Sequence, residues 1–243
     1  LLREKEIAVD TEADSFYHYF DKTCLVQIGT SNGIYLIDPL ALGGPAELAP
    51  LGPVFASKKI RKVFHAAEYD LFVLKRDCSF EFENLFDTMI SAQLLGYPAV
   101  GLAALAKRHF AVSLPKDEQR SDWSSRPPRE MHLISAAADV TYLVRLADVL
   151  EKELVAAGRL EWAKQEFEAL IRRTWPVREF DGAGYLRIKG SKALDPTSLS
   201  VLRELYLMRD NRAREVDRPP FKVLGNRTLM EIAQIKPASM GEL

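Results

Sequence analysis

Residues 7–14, Ile7-Ala8-Val9-Asp10-Thr11-Glu12-Ala13-Asp14, constrain the chain more than any other stretch. An apolar β-type run passes directly into charge. Asp10 and Glu12 stand two apart, so on a strand their carboxylates leave the same face. Two such groups repel and desolvate each other unless a positive charge lies between them. The pair is then either a solvent-facing polar edge or an oxygen-rich site for a hard divalent cation such as Mg²⁺.

The rest of the order builds on that strand. Residues 6–10, 24–29 and 33–38 read as three strands of an antiparallel meander, the last two joined by the turn residues Thr30-Ser31-Asn32-Gly33. Residues 39–53 read as a Gly/Pro-rich loop with a short helix after it. A fourth strand at 61–65 runs straight into a helix at 68–75, where Leu71 and Leu74 repeat at helical spacing and Lys75 and Arg76 suit the C-terminal end. Asp70 therefore falls near the start of a helix that follows a strand. Residues 82–86 read as a short fifth strand, with Asp87 as the N-cap of a helix at 88–95 that Gly96-Tyr97-Pro98 stops. Another helix covers 102–110.

Residues 115–128 are too polar for an element of their own and form a loop with Trp123 as its one large anchor. Residues 130–150 read as one long helix, with Leu133, Ala136, Val140, Leu143, Val144 and Ala147 along one side and Asp139 inside that run. Asp139 is either an exposed charge on the polar side or a functional group. A charged amphipathic helix follows from Leu154 to about Trp175; Gly182, Gly184 and Gly190 mark a break; two further helices, 198–215 and 228–235, flank Arg218-Pro219-Pro220-Phe221. The expected division is a domain at 1–153, a linker helix and loop at 154–190, and a helical domain at 191–243.

Composition excludes little. Of the 243 residues 47% are hydrophobic, enough for a sizeable core, and the net charge of −1 is silent on nucleic acid, for which a local patch matters. Such a patch is suggested between Arg187 and Arg227, where ten Lys/Arg face five Asp/Glu; a solvated helical face explains the same excess. Cys24 and Cys78 lack metal-ligand spacing and read as reduced thiols. No apolar run reaches the roughly 20 residues that span a bilayer, and no secretory pattern opens the chain, so a cytoplasmic location is expected. A start at Leu1 without methionine leads us to expect a removed upstream segment.

Six stretches together resemble the RNase D family of DEDD exonucleases: Ala8-Val9-Asp10-Thr11-Glu12-Ala13-Asp14, Cys24-Leu25-Val26-Gln27-Ile28, Phe64-His65-Ala66-Ala67-Glu68-Tyr69-Asp70-Leu71, Phe86-Asp87-Thr88-Met89-Ile90-Ser91-Ala92-Gln93, Ser121-Asp122-Trp123-Ser124-Ser125-Arg126-Pro127 and Ala136-Ala137-Ala138-Asp139-Val140-Thr141-Tyr142-Leu143. The tail from Ala193 looks like the start of the helical HRDC domain such enzymes carry, ending before that module is complete. The resemblance implies an α/β, RNase H-like fold: a mixed five-stranded sheet flanked by helices, followed by a smaller all-α HRDC-like domain. Asp10, Glu12, Asp70 and Asp139 match the family's four carboxylates and are expected to hold two Mg²⁺ or Mn²⁺ ions, which clamp the attacking and leaving oxygens of an in-line displacement. The expected reaction is 3′-5′ hydrolysis of RNA, with release of nucleoside 5′-monophosphates and precursors of transfer RNA as the suggested substrate.

One departure matters. In the tyrosine-bearing branch of the superfamily, a Tyr four residues before the last carboxylate orients the nucleophilic water; here that position is Ser135. The histidine-bearing branch places a His five before, where this chain has Ile134. His132, on the same helical side as Ser135 and Asp139, is a possible substitute. A serine hydroxyl falls several ångströms short of a phenol, so the expectation is metal binding with weakened or lost hydrolysis. Lys116, Arg120 and Arg126 are candidate RNA contacts, Trp123 a loop anchor, His65 structural, and Asp87 a helix cap. An RNA-binding pseudo-nuclease without turnover and a DNA-directed 3′-5′ exonuclease are the alternatives.

Overall fold

A computed structural model of the chain describes residues 1–115, 118, 120–176, 179–239 and 241–242. The chain forms two compact units, Leu1–Asp14 with Lys22–Trp175, and Ser15–Asp21 with Pro176–Leu243.

The first unit is built on the meander that the sequence indicates. β1 (Glu6–Ala13) pairs antiparallel with β2 (Thr23–Gly29), which pairs antiparallel with β3 (Ile34–Ile37). Every residue of β2 is buried, as a strand covered on both faces requires. Residues 39–53 are not a loop. Asp38 accepts a hydrogen bond from the Ala41 amide at 3.0 Å and starts α1 (Pro39–Leu42), a 3₁₀ segment covers Pro45–Leu51, and α2 (Gly52–Phe55) follows. Prolines at the first helical turn explain this, because the missing N–H is one the turn does not use.

β4 (Arg61–Phe64) lies parallel to β1, leads into α3 (Glu68–Cys78), and is flanked by β5 (Leu85–Asp87), giving the order β3-β2-β1-β4-β5. β5 starts later than expected because Asn84 takes a left-handed backbone at φ +51°. α4 (Thr88–Leu94) and α5 (Leu102–Phe110) agree with their sequence signals.

The expected long helix at 130–150 is two helices, α6 (Glu130–Thr141) and α7 (Leu143–Ala156), broken at Tyr142. Thr141 turns its hydroxyl back to the Ala137 carbonyl at 2.6 Å, a bond that competes with the helix and bends it. The two halves serve different neighbours: α6 lies on β1, β2 and β3, whereas α7 packs on α4, β1 and β4. Gly158, at φ +66°, then closes α7, with the Arg159 amide bonded to Leu154 O at 2.8 Å. The next helix, α8 (Leu160–Arg172), therefore begins six residues after Leu154. Its Phe167 packs on Phe86 at 5.1 Å between ring centroids, so residues 154–175, expected as the start of a linker, sit in the first compact unit.

The second unit has its own small core of Ile188, Leu202, Leu229 and Ala233. α9 (Pro196–Glu215) is capped by Asp195, whose carboxylate accepts from the amides of Thr197 and Ser198; α10 (Pro220–Val223) and α11 (Asn226–Ile235) complete it. Residues 15–21 join this unit through Asp217, which accepts from the amides of Tyr19 and Phe20 at 3.0 and 3.1 Å, and through the Tyr19 hydroxyl, which donates to Asp210.

Candidate metal centre

Strand pairing decides what is free at the functional end of β1. β4 pairs only with residues 6–8 of β1, so Asp10 and Glu12 extend past the parallel neighbour. α3 starts in that space, and its Asp70 is tied to β1 by the Thr11 hydroxyl, which donates at 2.6 Å. The turn carrying α3 is itself held: Asp87 accepts from the amides of Ala66 and Ala67 as well as from those of Met89 and Ile90. Helix capping was legible for Asp87. Its grip on the turn before Asp70 was not, nor was the bridge from Thr11, which strand parity places on the opposite face from Asp10.

Asp139 arrives from above. A Cβ on Gly29 would sit 3.2 Å from both the Val140 carbonyl and the Ala8 side chain, so the bare backbone at Gly29 is what lets α6 settle onto the sheet. Asp10, Glu12 and Asp139 then each offer a carboxylate oxygen, all within 4.8 Å of one another.

The electrostatics of this cluster are strained. Burial, followed by the charges of Asp70, Glu12 and Asp139, holds Asp10 well above the usual carboxylate range. Burial and the charges of Asp139 and Asp70 push Glu12 up to about 9. Asp70 is raised to about 7 by burial, against the opposing hydrogen bond from Thr11, and Asp139 to about 6 by burial. Among the described residues no Lys or Arg forms an ion pair with any of the four. An all-oxygen set with no counter-charge among the described residues fits a hard divalent cation.

Ser135 is buried, 6% exposed, one turn before Asp139, while Ile134 is half exposed. His132 is committed elsewhere. Its Nε2 lies 3.0 Å from Glu118 and 2.6 Å from the Arg129 guanidinium, and its ring packs on Trp123 at 4.7 Å, so it braces the connection before α6 instead of replacing a catalytic tyrosine. Trp123 is buried, as an anchor should be.

Arg126 is likewise an internal clamp. It donates to the carbonyls of Trp123 and Cys24, both at 2.7 Å, and to Asp38 at 2.8 Å, which leaves its guanidinium spent on the fold. Arg120 is exposed on a turn, and Lys116 lies outside the described residues. His65 bonds through Nδ1 to Thr88 Oγ1 at 2.8 Å, a structural contact.

The 3′-5′ exonuclease family model matches residues 1–155, and the HRDC domain model matches 198–243. The chain belongs to the ribonuclease D family of 3′-5′ exonucleases. Ribonuclease D from Haemophilus influenzae is 31% identical over 243 residues, covering 99% of this chain and 60% of its own length. The chain thus spans less than two thirds of that relative. The catalytic core of RRP6 from Trypanosoma brucei superposes with a TM-score of 0.91 at 34% identity, over 99% of this chain and 67% of that one. NrnC from Brucella melitensis with bound Mg²⁺ gives a TM-score of 0.59 at 26% identity, over 80% of this chain and 90% of that one. Among the described residues no helix is long and apolar enough to cross a membrane.

Proposed function

We propose that this member of the ribonuclease D family is a metal-dependent 3′-5′ exoribonuclease, in which Asp10, Glu12, Asp70 and Asp139 hold two Mg²⁺ or Mn²⁺ ions. The observation that carries the reading is the convergence of three carboxylate oxygens within 4.8 Å, with no Lys or Arg ion-paired to them among the described residues. When bound, the ions supply Lewis-acid charge to the attacking and leaving oxygens of a phosphodiester. Water adds to the terminal phosphorus and gives up a proton, the P–O3′ bond breaks, the departing 3′ oxygen takes up a proton, and a nucleoside 5′-monophosphate leaves. Thr11 and Asp87 hold Asp70 and its turn in place for this. The 3′ ends of transfer RNA precursors, in the cytoplasm, are the substrates this reading favours. Arg120 and Lys116 would serve the phosphate backbone.

Ser135 supports a second reading. It stands where the superfamily's tyrosine positions the water, and losing such a group costs about 10²–10⁴ in rate. His132, tied to Glu118 and Arg129, does not replace it. The chain is then a slow nuclease or, at the limit, an RNA-binding protein that no longer turns over. A timed digestion of 5′-labelled RNA with a 3′ extension, in Mn²⁺, separates the two when the parent runs beside Ser135→Tyr and Asp10→Ala. Stepwise shortening by the parent and none by Asp10→Ala establishes the nuclease. Cutting by Ser135→Tyr alone establishes an assembled but disarmed site. Digestion that survives Asp10→Ala refutes both.

A further inference from the structure

Gln27 lies in the middle of β2 with none of its surface exposed, and neither its side-chain oxygen nor its nitrogen has a hydrogen-bond partner among the described residues. Buried polar groups are almost always paired, so a carboxamide left wholly unpaired points to a partner acquired in another state. The sheet register says where that partner is. Gln27 stands directly opposite Asp10 in the β1–β2 pair, and opposite residues have Cβ atoms about 4.5–5.5 Å apart on a shared face. Its other cross-strand neighbour, on β3, is Leu36, which offers no polar atom. Gly29, two residues along the same face, lies directly under α6, where an added Cβ would meet the Val140 carbonyl at 3.2 Å. The amide is therefore enclosed beneath the helix that carries Asp139, with a carboxylate as the polar side chain beside it.

We propose that Gln27 is a positioning residue of the metal centre: its amide N–H donates to the Asp10 carboxylate when that group holds a divalent cation, fixing which oxygen faces the ion. The proposal rests on the reading of Asp10 as a cation ligand. A hydrogen bond to an ionised acceptor is short and directional, as orienting a ligand requires. Partners in this position typically set metal affinity by 10–100-fold. Gln27 would touch neither RNA nor ion, acting only through Asp10.

The test is a calorimetric Mn²⁺ titration of the full chain, comparing the parent with Gln27→Met and Asp10→Asn, together with thermal unfolding of each in EDTA. Methionine keeps the length and apolar bulk while removing both polar ends. The expected result is a thermal midpoint in EDTA that is unchanged or higher, with Mn²⁺ binding weaker by about 10–100-fold. A merely structural glutamine would lower the midpoint and leave Mn²⁺ affinity alone, which overturns the proposal. If the parent binds Mn²⁺, Asp10→Asn does not, and Gln27→Met binds like the parent, the positioning role fails while the metal reading stands. If the parent binds no Mn²⁺, both fail. Should Gln27→Met not fold, Mg²⁺ titration of the ¹⁵N-glutamine-labelled parent decides. The Gln27 side-chain NH₂ resonance moves in the parent but not in Asp10→Asn if the proposal holds, and stays still in both if it is wrong.

Discussion

Replacing a carboxylate of the metal centre with its amide should stabilise the metal-free protein, provided the pH is high enough. Asp139 makes the case because burial raises it to about 6 from an ordinary 3.8. The folded state then holds a proton that the unfolded chain has already lost, so stability falls as pH rises from about 4 through 6 and stays lowered above that. A shift of about two units is worth about 3 kcal/mol. Asn carries no charge to desolvate and also removes the largest neighbouring charge acting on Glu12. Asp139→Asn in EDTA is therefore expected to gain about 3 kcal/mol at pH 8 and almost nothing at pH 4.

At about 2–4 °C per kcal/mol for a domain of this size, that is roughly 6–12 °C in midpoint. The assay is selective, because Trp123, Trp162 and Trp175 all lie in the first unit and their fluorescence follows its unfolding. Mg²⁺ should close most of that gap. At a hundred times its dissociation constant a ligand adds about 2.7 kcal/mol to the parent, and Asp139→Asn forfeits most of that. A lower midpoint for Asp139→Asn at pH 8 in EDTA, or equal stabilisation of both proteins by Mg²⁺, would refute the argument.

Two further outcomes follow from the clamps described above. Arg126→Ala should lower the midpoint of the first unit by several degrees, because hydrogen bonds to a charged group contribute about 1.5–3 kcal/mol and its loss leaves Asp38 and the Cys24 carbonyl short of a donor; an unchanged melt with weaker RNA binding would return Arg126 to the RNA-contact role. Asp217→Ala should speed hydrogen exchange at the Tyr19 and Phe20 amides at least tenfold, since it removes the acceptor for both, and unchanged protection would show that residues 15–21 are held by Tyr19 and its bonds to Asp210 and Arg214 instead.

What the sequence made legible was local. The parity of Asp10 and Glu12, the cap at Asp87 and the strand-to-helix passage before Asp70 each depend on a few adjacent residues, and each reappears in the fold. Asp139 stayed ambiguous because helical phase gives a face but not a neighbour; only the close approach at Gly29, more than a hundred residues earlier, shows that the face meets the sheet. The break at Tyr142 was hidden for a related reason. Apolar spacing runs unbroken through residues 133–147, and it shows neither the Thr141 back-bond that bends the helix nor the change of packing partner across the bend. Arg126 read as a phosphate contact since it sits among polar residues, yet its acceptors, Cys24 and Asp38, come from the distant meander. Gln27 has no role legible from its apolar run, although a carboxamide in the middle of a strand buried on both faces is the signal that could have found one.

The burial of Ser135 adds a constraint on how its substitution should behave. It is 6% exposed, so the α6 side chain already lies in packed surroundings. Placing a phenol there overfills the site, which typically costs about 1–3 kcal/mol. If tyrosine nonetheless reaches the carboxylate cluster one helical turn away, hydrolysis rises while stability falls. Opposite signs in the two measurements cannot come from a better-folded preparation, so together they isolate the chemical contribution of the ring. A Ser135→Tyr protein that is less stable and no more active would mean that the packing around α6 turns the ring away, and the weak point of the site would then lie elsewhere than position 135.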